Sequence, residues 1–106
     1  MPQVNIYVSG TERERFAAYA AQFGLDVTAL SNLLLERELR VERLAKLQRQ
    51  DTGHRDEKIT AHMTAVRRAQ FAARTKQLGL SLSQAGAMLV SSELHERWLE
   101  KAVDNV

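Results

Sequence analysis

Cysteine is absent from this 106-residue sequence, and proline occurs once. The lack of cysteine excludes a disulfide-stapled secreted scaffold and a cysteine-based zinc module. The opening residues MPQVNIYV have neither the basic region nor the cleavage site of a signal peptide. No apolar run approaches the ~20 residues that a membrane span requires. We therefore expect a cytoplasmic protein that has no membrane segment.

An excess of one charge is also missing, since 15 Lys and Arg stand against 13 Asp and Glu for a net charge of +2. This balance permits nucleic-acid binding without arguing for it. No Gly-rich phosphate loop, Ser-His-Asp set or paired buried carboxylate is recognisable, so we expect neither an enzyme nor a cofactor. The three histidines, His54, His62 and His95, are never four residues apart, and we expect no metal site.

The sequence does contain an internal repeat. Residues 3–44 align without gaps to residues 58–99 at an offset of 55, and eleven of the 42 pairs are identical. The identical pairs are Arg13/Arg68, Phe16/Phe71, Ala17/Ala72, Ala18/Ala73, Gln22/Gln77, Gly24/Gly79, Leu25/Leu80, Leu34/Leu89, Glu38/Glu93, Leu39/Leu94 and Leu44/Leu99. We interpret residues 1–48 as a first motif, residues 49–57 as a polar linker and residues 58–106 as a second motif.

Each copy is predicted to be a short strand followed by two helices. In the first copy, apolar residues alternate with polar ones from Gln3 to Val8, which is the period-two pattern of a strand with one buried face. Ser9 and Asp26 are predicted to cap two helices, and the second helix meets no Pro or Gly before Gly53. In the second copy the strand pattern is weaker and extends from Lys58 through Met63 and Ala65, and Ser81 is the predicted cap of the last helix.

A single strand would leave its backbone N–H and C=O groups unpaired, so the two strands are expected to pair antiparallel. The sequence leaves open whether they pair within one chain or between two. Either way the polar residues form one face of a two-stranded ribbon, which fits the ~12 Å wide major groove of B-DNA.

The run PQVNIYVSGTERERFAAYAAQFGLDVTALSNLLLERELR resembles the ribbon-helix-helix superfamily of the Arc and MetJ repressors in strand pattern, helix lengths and interhelical glycine. The resemblance covers the whole first copy, and in the second copy it covers the helices but only loosely the strand. It implies a mainly α fold with short β-ribbons, two ribbon-helix-helix motifs in tandem and sequence-specific binding of double-stranded DNA. Tandem members include plasmid regulators and accessory proteins of conjugative transfer. The expected role is therefore a transcriptional repressor or a plasmid transfer or maintenance factor, with a relaxosome component or another plasmid-encoded protein as candidate partner.

The resemblance also assigns site residues. Base edges would be read by Gln3, Asn5 and Tyr7 and by Lys58, Thr60 and His62, of which His62 departs from the usual long polar side chain. Phosphates would be held by the start of each second helix and by flanking arginines. These residues are Arg13, Arg15, Val27, Thr28, Arg67, Arg68, Ser81 and Ser83. Because one ribbon reads few base pairs, a homodimer is expected.

Two other interpretations stay open. A helical interaction module would use long helices from residue 27 to about 50 and from 82 to about 103, with the strand segments as extended arms. The alternation from Gln3 to Val8 has no use in such a bundle. An antitoxin would end in a disordered toxin-binding tail, where this sequence instead has a second copy of the motif.

Overall fold

A computed structural model describes residues 2–47 and 55–104. The strands are β1 (Gln3–Val8) and β2 (Glu57–His62). The helices are α1 (Gly10–Ala21), α2 (Val27–Val41), α3 (Ala65–Gln77), α4 (Leu82–Glu96) and α5 (Trp98–Asp104), and a short 3₁₀ turn spans Leu44–Lys46. Most of the predicted linker 49–57, with His54, lies outside the described residues. The predicted class, mainly helical with a small two-stranded antiparallel sheet, is confirmed.

The two strands pair with each other inside one chain. They are antiparallel, and residues whose numbers add up to 65 lie opposite each other, as Gln3 does to His62. Asn5 lies opposite Thr60, which is also its equivalent in the repeat at the offset of 55. A local pseudo-twofold axis therefore passes between Asn5 and Thr60 and relates the two copies.

The inner face of the ribbon supplies the centre of the core. Val4, Ile6 and Val8 of β1 and Ile59 and Ala61 of β2 are all at most 1% exposed. The alternation in the sequence is thereby confirmed for both strands. The second strand is shorter than predicted, because Ala65 is already the first residue of α3.

Side-chain caps set the helix starts. Ser9 forms a capping box with Glu12, and the carboxylate of Asp26 accepts a hydrogen bond from the Ala29 N–H at 2.7 Å. Ser81 caps α4 in the same way as Ser9 caps α1. The hydroxyl of Thr64 caps α3, which explains why the chain turns helical at Ala65, two residues after Met63.

The ends of the second helices differ from the prediction. An uninterrupted helix toward Gly53 was expected, yet α2 ends at Val41 because Glu42 adopts a left-handed conformation with φ of 51°. Arg97, its equivalent at the offset of 55, has φ of 52° and ends α4. The paired strands and these early helix ends replace the extended arms and long helices that the interaction-module alternative assumed.

The two copies are interlocked rather than side by side. Helix α2 of the first copy packs on β2 of the second, and α4 of the second copy packs on β1 of the first. Phe16 of α1 and Phe71 of α3, an identical pair in the repeat, are both fully buried in one continuous core. Along residues 2–47 and 55–104, the helices are too short or too polar to cross a bilayer.

Candidate nucleic-acid interface

The outer face of the ribbon carries all six residues that the sequence assigned to base reading. Gln3, Asn5, Tyr7 and Lys58 are exposed, whereas Thr60 and His62 are half-buried. Each alternates along its strand with a residue of the buried face, so the six side chains share one surface. We call this surface the outer ribbon face; its residues are Gln3, Asn5, Tyr7, Lys58, Thr60 and His62.

Helix side chains hold both outer edges of the ribbon. On the β2 edge, the Thr28 hydroxyl donates to the carbonyl oxygen of Thr60 at 2.8 Å, and the Oδ1 of Asn32 accepts from the His62 N–H at 2.8 Å. On the β1 edge, the Ser83 hydroxyl oxygen accepts from the Tyr7 N–H at 3.2 Å. These bonds satisfy edge groups that the partner strand cannot reach and fix the ribbon against its helices.

Two of the predicted phosphate-contacting arginines clamp the ends of the ribbon. The Nε of Arg13 donates to the carbonyl oxygen of Lys58 at 3.4 Å, and the Nε of Arg68 donates to that of Gln3 at 3.0 Å. The two bonds are equivalent in the repeat, because Arg13 corresponds to Arg68 and Gln3 to Lys58 at the offset of 55. Each guanidinium is therefore placed beside the outer ribbon face, where a DNA backbone would flank an inserted ribbon.

The other two predicted arginines lie in different surroundings. Arg67 forms an ion pair with Glu36 of α2 at 3.0 Å. Arg15 lines an open groove between α1 and the C-terminal half of α4, together with Gln22 and His95. The structure therefore groups Arg13 and Arg68 with the ribbon more closely than Arg15.

The starts of α2 and α4 lie beside the ribbon, because their own side chains Thr28 and Ser83 bond to its edges. The first N–H groups of a helix lack partners within the helix and carry the positive end of its dipole, so both starts, including Val27 on α2, favour an anion. They differ in their caps. Asp26 places a carboxylate at the start of α2, whereas Ser81 places a neutral hydroxyl at the start of α4.

Sequence reasoning missed two buried glutamates that lock the helices together. Glu38 is 2% exposed. Its carboxylate accepts a hydrogen bond from the Arg43 N–H at 2.9 Å, and both of its oxygens accept from the Leu44 N–H, at 3.2 Å and 3.1 Å. It also lies 3.7 Å from a guanidinium nitrogen of Arg74 on α3. The carboxylate thus satisfies the chain immediately after α2 and attaches α3 to it, which accounts for the early end of the helix.

The equivalent glutamate repeats this arrangement with a different partner. Glu93 is 3% exposed, accepts from the Tyr19 hydroxyl at 2.5 Å and accepts from the Leu99 N–H at 2.9 Å. Burial, and then the hydrogen bond to Glu93, raise the pKa of Tyr19 to about 12. Tyr19 and Arg74 are equivalent positions in the repeat. The identity of Glu38 with Glu93 in the repeat was the available signal for this shared role.

Comparisons of the chain with models of known protein families, with curated proteins and with solved structures found no match.

Proposed function

We propose that this chain binds double-stranded DNA sequence-specifically by placing its two-stranded ribbon in the major groove. The observation that carries the proposal is the outer ribbon face, where six hydrogen-bonding side chains stand on one surface while the opposite face is buried. Two strands about 4.8 Å apart, with their side chains, match a groove about 12 Å wide.

The chemistry of the outer ribbon face suits base edges. Asn5 at the centre and Gln3 at one end carry amides that can bond both N6 and N7 of adenine, and Lys58 can donate to guanine. Tyr7 is 41% exposed although it is aromatic, and its ring can lie against a thymine methyl group. Arg13 and Arg68 flank this surface and supply positive charge for the phosphates.

Within this proposal the biological role is that of a transcriptional repressor or of a plasmid transfer or maintenance accessory factor, working as a homodimer in the cytoplasm. The role and the plasmid-encoded partners derive from the resemblance to the ribbon-helix-helix superfamily. The ribbon itself needs no second chain, because β1 and β2 pair within one chain. A dimer would serve to place two ribbons on spaced half-sites.

Replacing Asn5 with alanine tests base reading. Asn5 is exposed, so the fold should persist, while specific binding should weaken by about 1–3 kcal/mol, or roughly 5- to 150-fold. Gln77→Ala is a matched control, since it removes an exposed amide at the far end of α3. Affinities would be measured by gel shift on duplexes selected from DNA surrounding the protein's own gene.

The same assay separates base reading from phosphate contact. Affinity for random DNA should be unchanged by Asn5→Ala, and affinity for any duplex should fall steeply with salt because phosphate contacts release counterions. An equal loss on specific and random DNA would contradict base reading by Asn5. Binding that does not respond to salt would contradict the DNA proposal as a whole.

A further inference from the structure

The frame that carries the ribbon is closely twofold symmetric. The offset of 55 converts the bond from Arg13 to the Lys58 carbonyl into the bond from Arg68 to the Gln3 carbonyl. The same offset relates a second pair of hydrogen bonds. The Glu38 carboxylate accepts from the Leu44 N–H, and the equivalent Glu93 carboxylate accepts from the Leu99 N–H. Arg13 and Arg68 are identical in the repeat, and so are Glu38 and Glu93, so these two contacts of the frame are the same in both copies.

The outer ribbon face breaks this symmetry at all of its three equivalent positions. Gln3 corresponds to Lys58, Asn5 to Thr60 and Tyr7 to His62. An amide that both donates and accepts is thus replaced by an ammonium group that only donates, and a phenol is replaced by an imidazole. None of the eleven identities in the repeat falls on this face. The two halves of the ribbon therefore offer different patterns to the two halves of a DNA site.

The flanks differ in charge as well. At the Tyr7–Lys58 end the neighbouring helix starts carry Glu12 and the neutral cap Ser81. At the Gln3–His62 end the equivalent positions are Arg67 and Asp26. The phosphates at the two ends of the ribbon would thus meet different partners.

We infer that the ribbon recognises a non-palindromic DNA sequence and lies on it in one fixed orientation. This inference rests on the proposed function and specifies its substrate. A palindromic site offers the same bases to both halves, and no single half-site sequence matches both Gln3, Asn5 and Tyr7 and their equivalents on β2. The outer residues of the two strands differ in exposure as well, since Asn5 and Tyr7 are exposed whereas Thr60 and His62 are half-buried. These differences between the strands decide the orientation.

Selection from a random duplex library tests the inference. Wild-type protein should enrich a non-palindromic core, and duplexes in which either half is converted into a palindrome should bind about 5- to 150-fold more weakly. The matched control is the triple variant Lys58→Gln, Thr60→Asn and His62→Tyr, which gives both strands the same outer residues. Once circular dichroism shows that it is folded, it should enrich a palindromic core.

Orientation is measured on the wild-type ribbon without relying on that variant. Because the chain has no cysteine, Pro2→Cys and Glu57→Cys each introduce one attachment point, at opposite ends of the ribbon. On a duplex that holds the half-site of a single ribbon, an iron chelate attached there should cut on one side for Pro2→Cys and on the other side for Glu57→Cys. A palindromic half-site selected by one ribbon, or cutting on both sides of a single half-site by each conjugate, would overturn the fixed orientation. Failure to enrich any sequence would instead overturn the proposed function.

Discussion

Replacing Gly86 with alanine tests how α4 packs on the ribbon. Gly86 is buried on α4, and a Cβ atom added there would lie 2.5 Å from Cγ1 and 2.9 Å from Cδ1 of Ile6. Both atoms belong to a side chain that is 1% exposed at the centre of the inner ribbon face. Ile6 is branched at Cβ and has little rotamer freedom, so either the strand or the helix must move.

The expected cost follows from two opposing effects. Overpacking a core costs about 1–3 kcal/mol, and contact distances this short place Gly86→Ala at the upper end of that range. Alanine in a helix interior stabilises the helix by about 1 kcal/mol relative to glycine. The net loss should be about 2 kcal/mol, which corresponds to a fall of roughly 8–16 °C in Tm.

Urea unfolding followed by circular dichroism measures this loss. Gly10→Ala is the matched control, since its added Cβ meets only a side-chain carbon of Glu57 at 3.8 Å, and its stability should not fall. In the Ile6→Ala background the methyl added at position 86 occupies the vacated space. The double variant should therefore lose about 1–2 kcal/mol less stability than the sum of the losses of the two single variants. A Gly86→Ala variant as stable as wild type would refute the close packing of α4 on β1.

Three further outcomes are expected. Ser31 is the equivalent of Gly86 in the repeat, and its buried hydroxyl has no hydrogen-bond partner among the described residues. Ser31→Ala should therefore leave stability unchanged or raise it by about 1 kcal/mol in the same urea assay, and a marked loss would reveal a partner for the hydroxyl. Folding raises the pKa of Tyr19 to about 12, so the neutral phenol stabilises the folded state. This stabilisation should be complete below pH 10, and the free energy of unfolding of wild type should fall by about 2–3 kcal/mol as pH rises from 10 to 12. Tyr19→Phe should lack that alkaline slope, and an identical slope in both proteins would exclude Tyr19 as its source. The hydrogen bond from Arg43 holds the pKa of Glu96 below its usual value. At a pH above that usual value, Glu96→Gln should lower the free energy of unfolding by up to about 1 kcal/mol. This difference from wild type should vanish as pH falls through the lowered pKa, and a difference that persists in acid would show that the ion pair is not its origin.

Local patterns predicted the elements of this fold well. The alternation from Gln3 to Val8 is seen as a strand whose apolar side chains are buried, and Ser9, Asp26 and Ser81 cap the helices as predicted. Each of these features depends on residues within about four positions of one another. The sequence therefore contained all the information needed to place them.

Helix ends and helix partners depended on contacts that the local pattern does not contain. In the sequence, Glu38 looks like a solvated charge on a helix surface, as most glutamates are. Its burial depends on Arg74, which is 36 residues away along the chain. Likewise, the Asn32 side chain resembles an ordinary helix residue until β2 brings the His62 N–H to it. The repeat identity of Glu38 with Glu93 marked a shared structural role without revealing what that role was.

The exchange of helices between the copies links the fold to the proposed function. Because α2 supports β2 and α4 supports β1, either motif alone would lack both the partner strand and the helix that covers its own strand. The separation of the outer ribbon face from the starts of α2 and α4 is therefore fixed by the whole chain, through Thr28 and Ser83. If the proposed function holds, groups that read bases and groups that bind phosphates are held at a set distance and lose little conformational freedom on binding, which favours affinity without a larger interface. On the proposed function, covalent linkage of the two copies thus sets the reading geometry before DNA arrives and allows the two strands to carry different side chains.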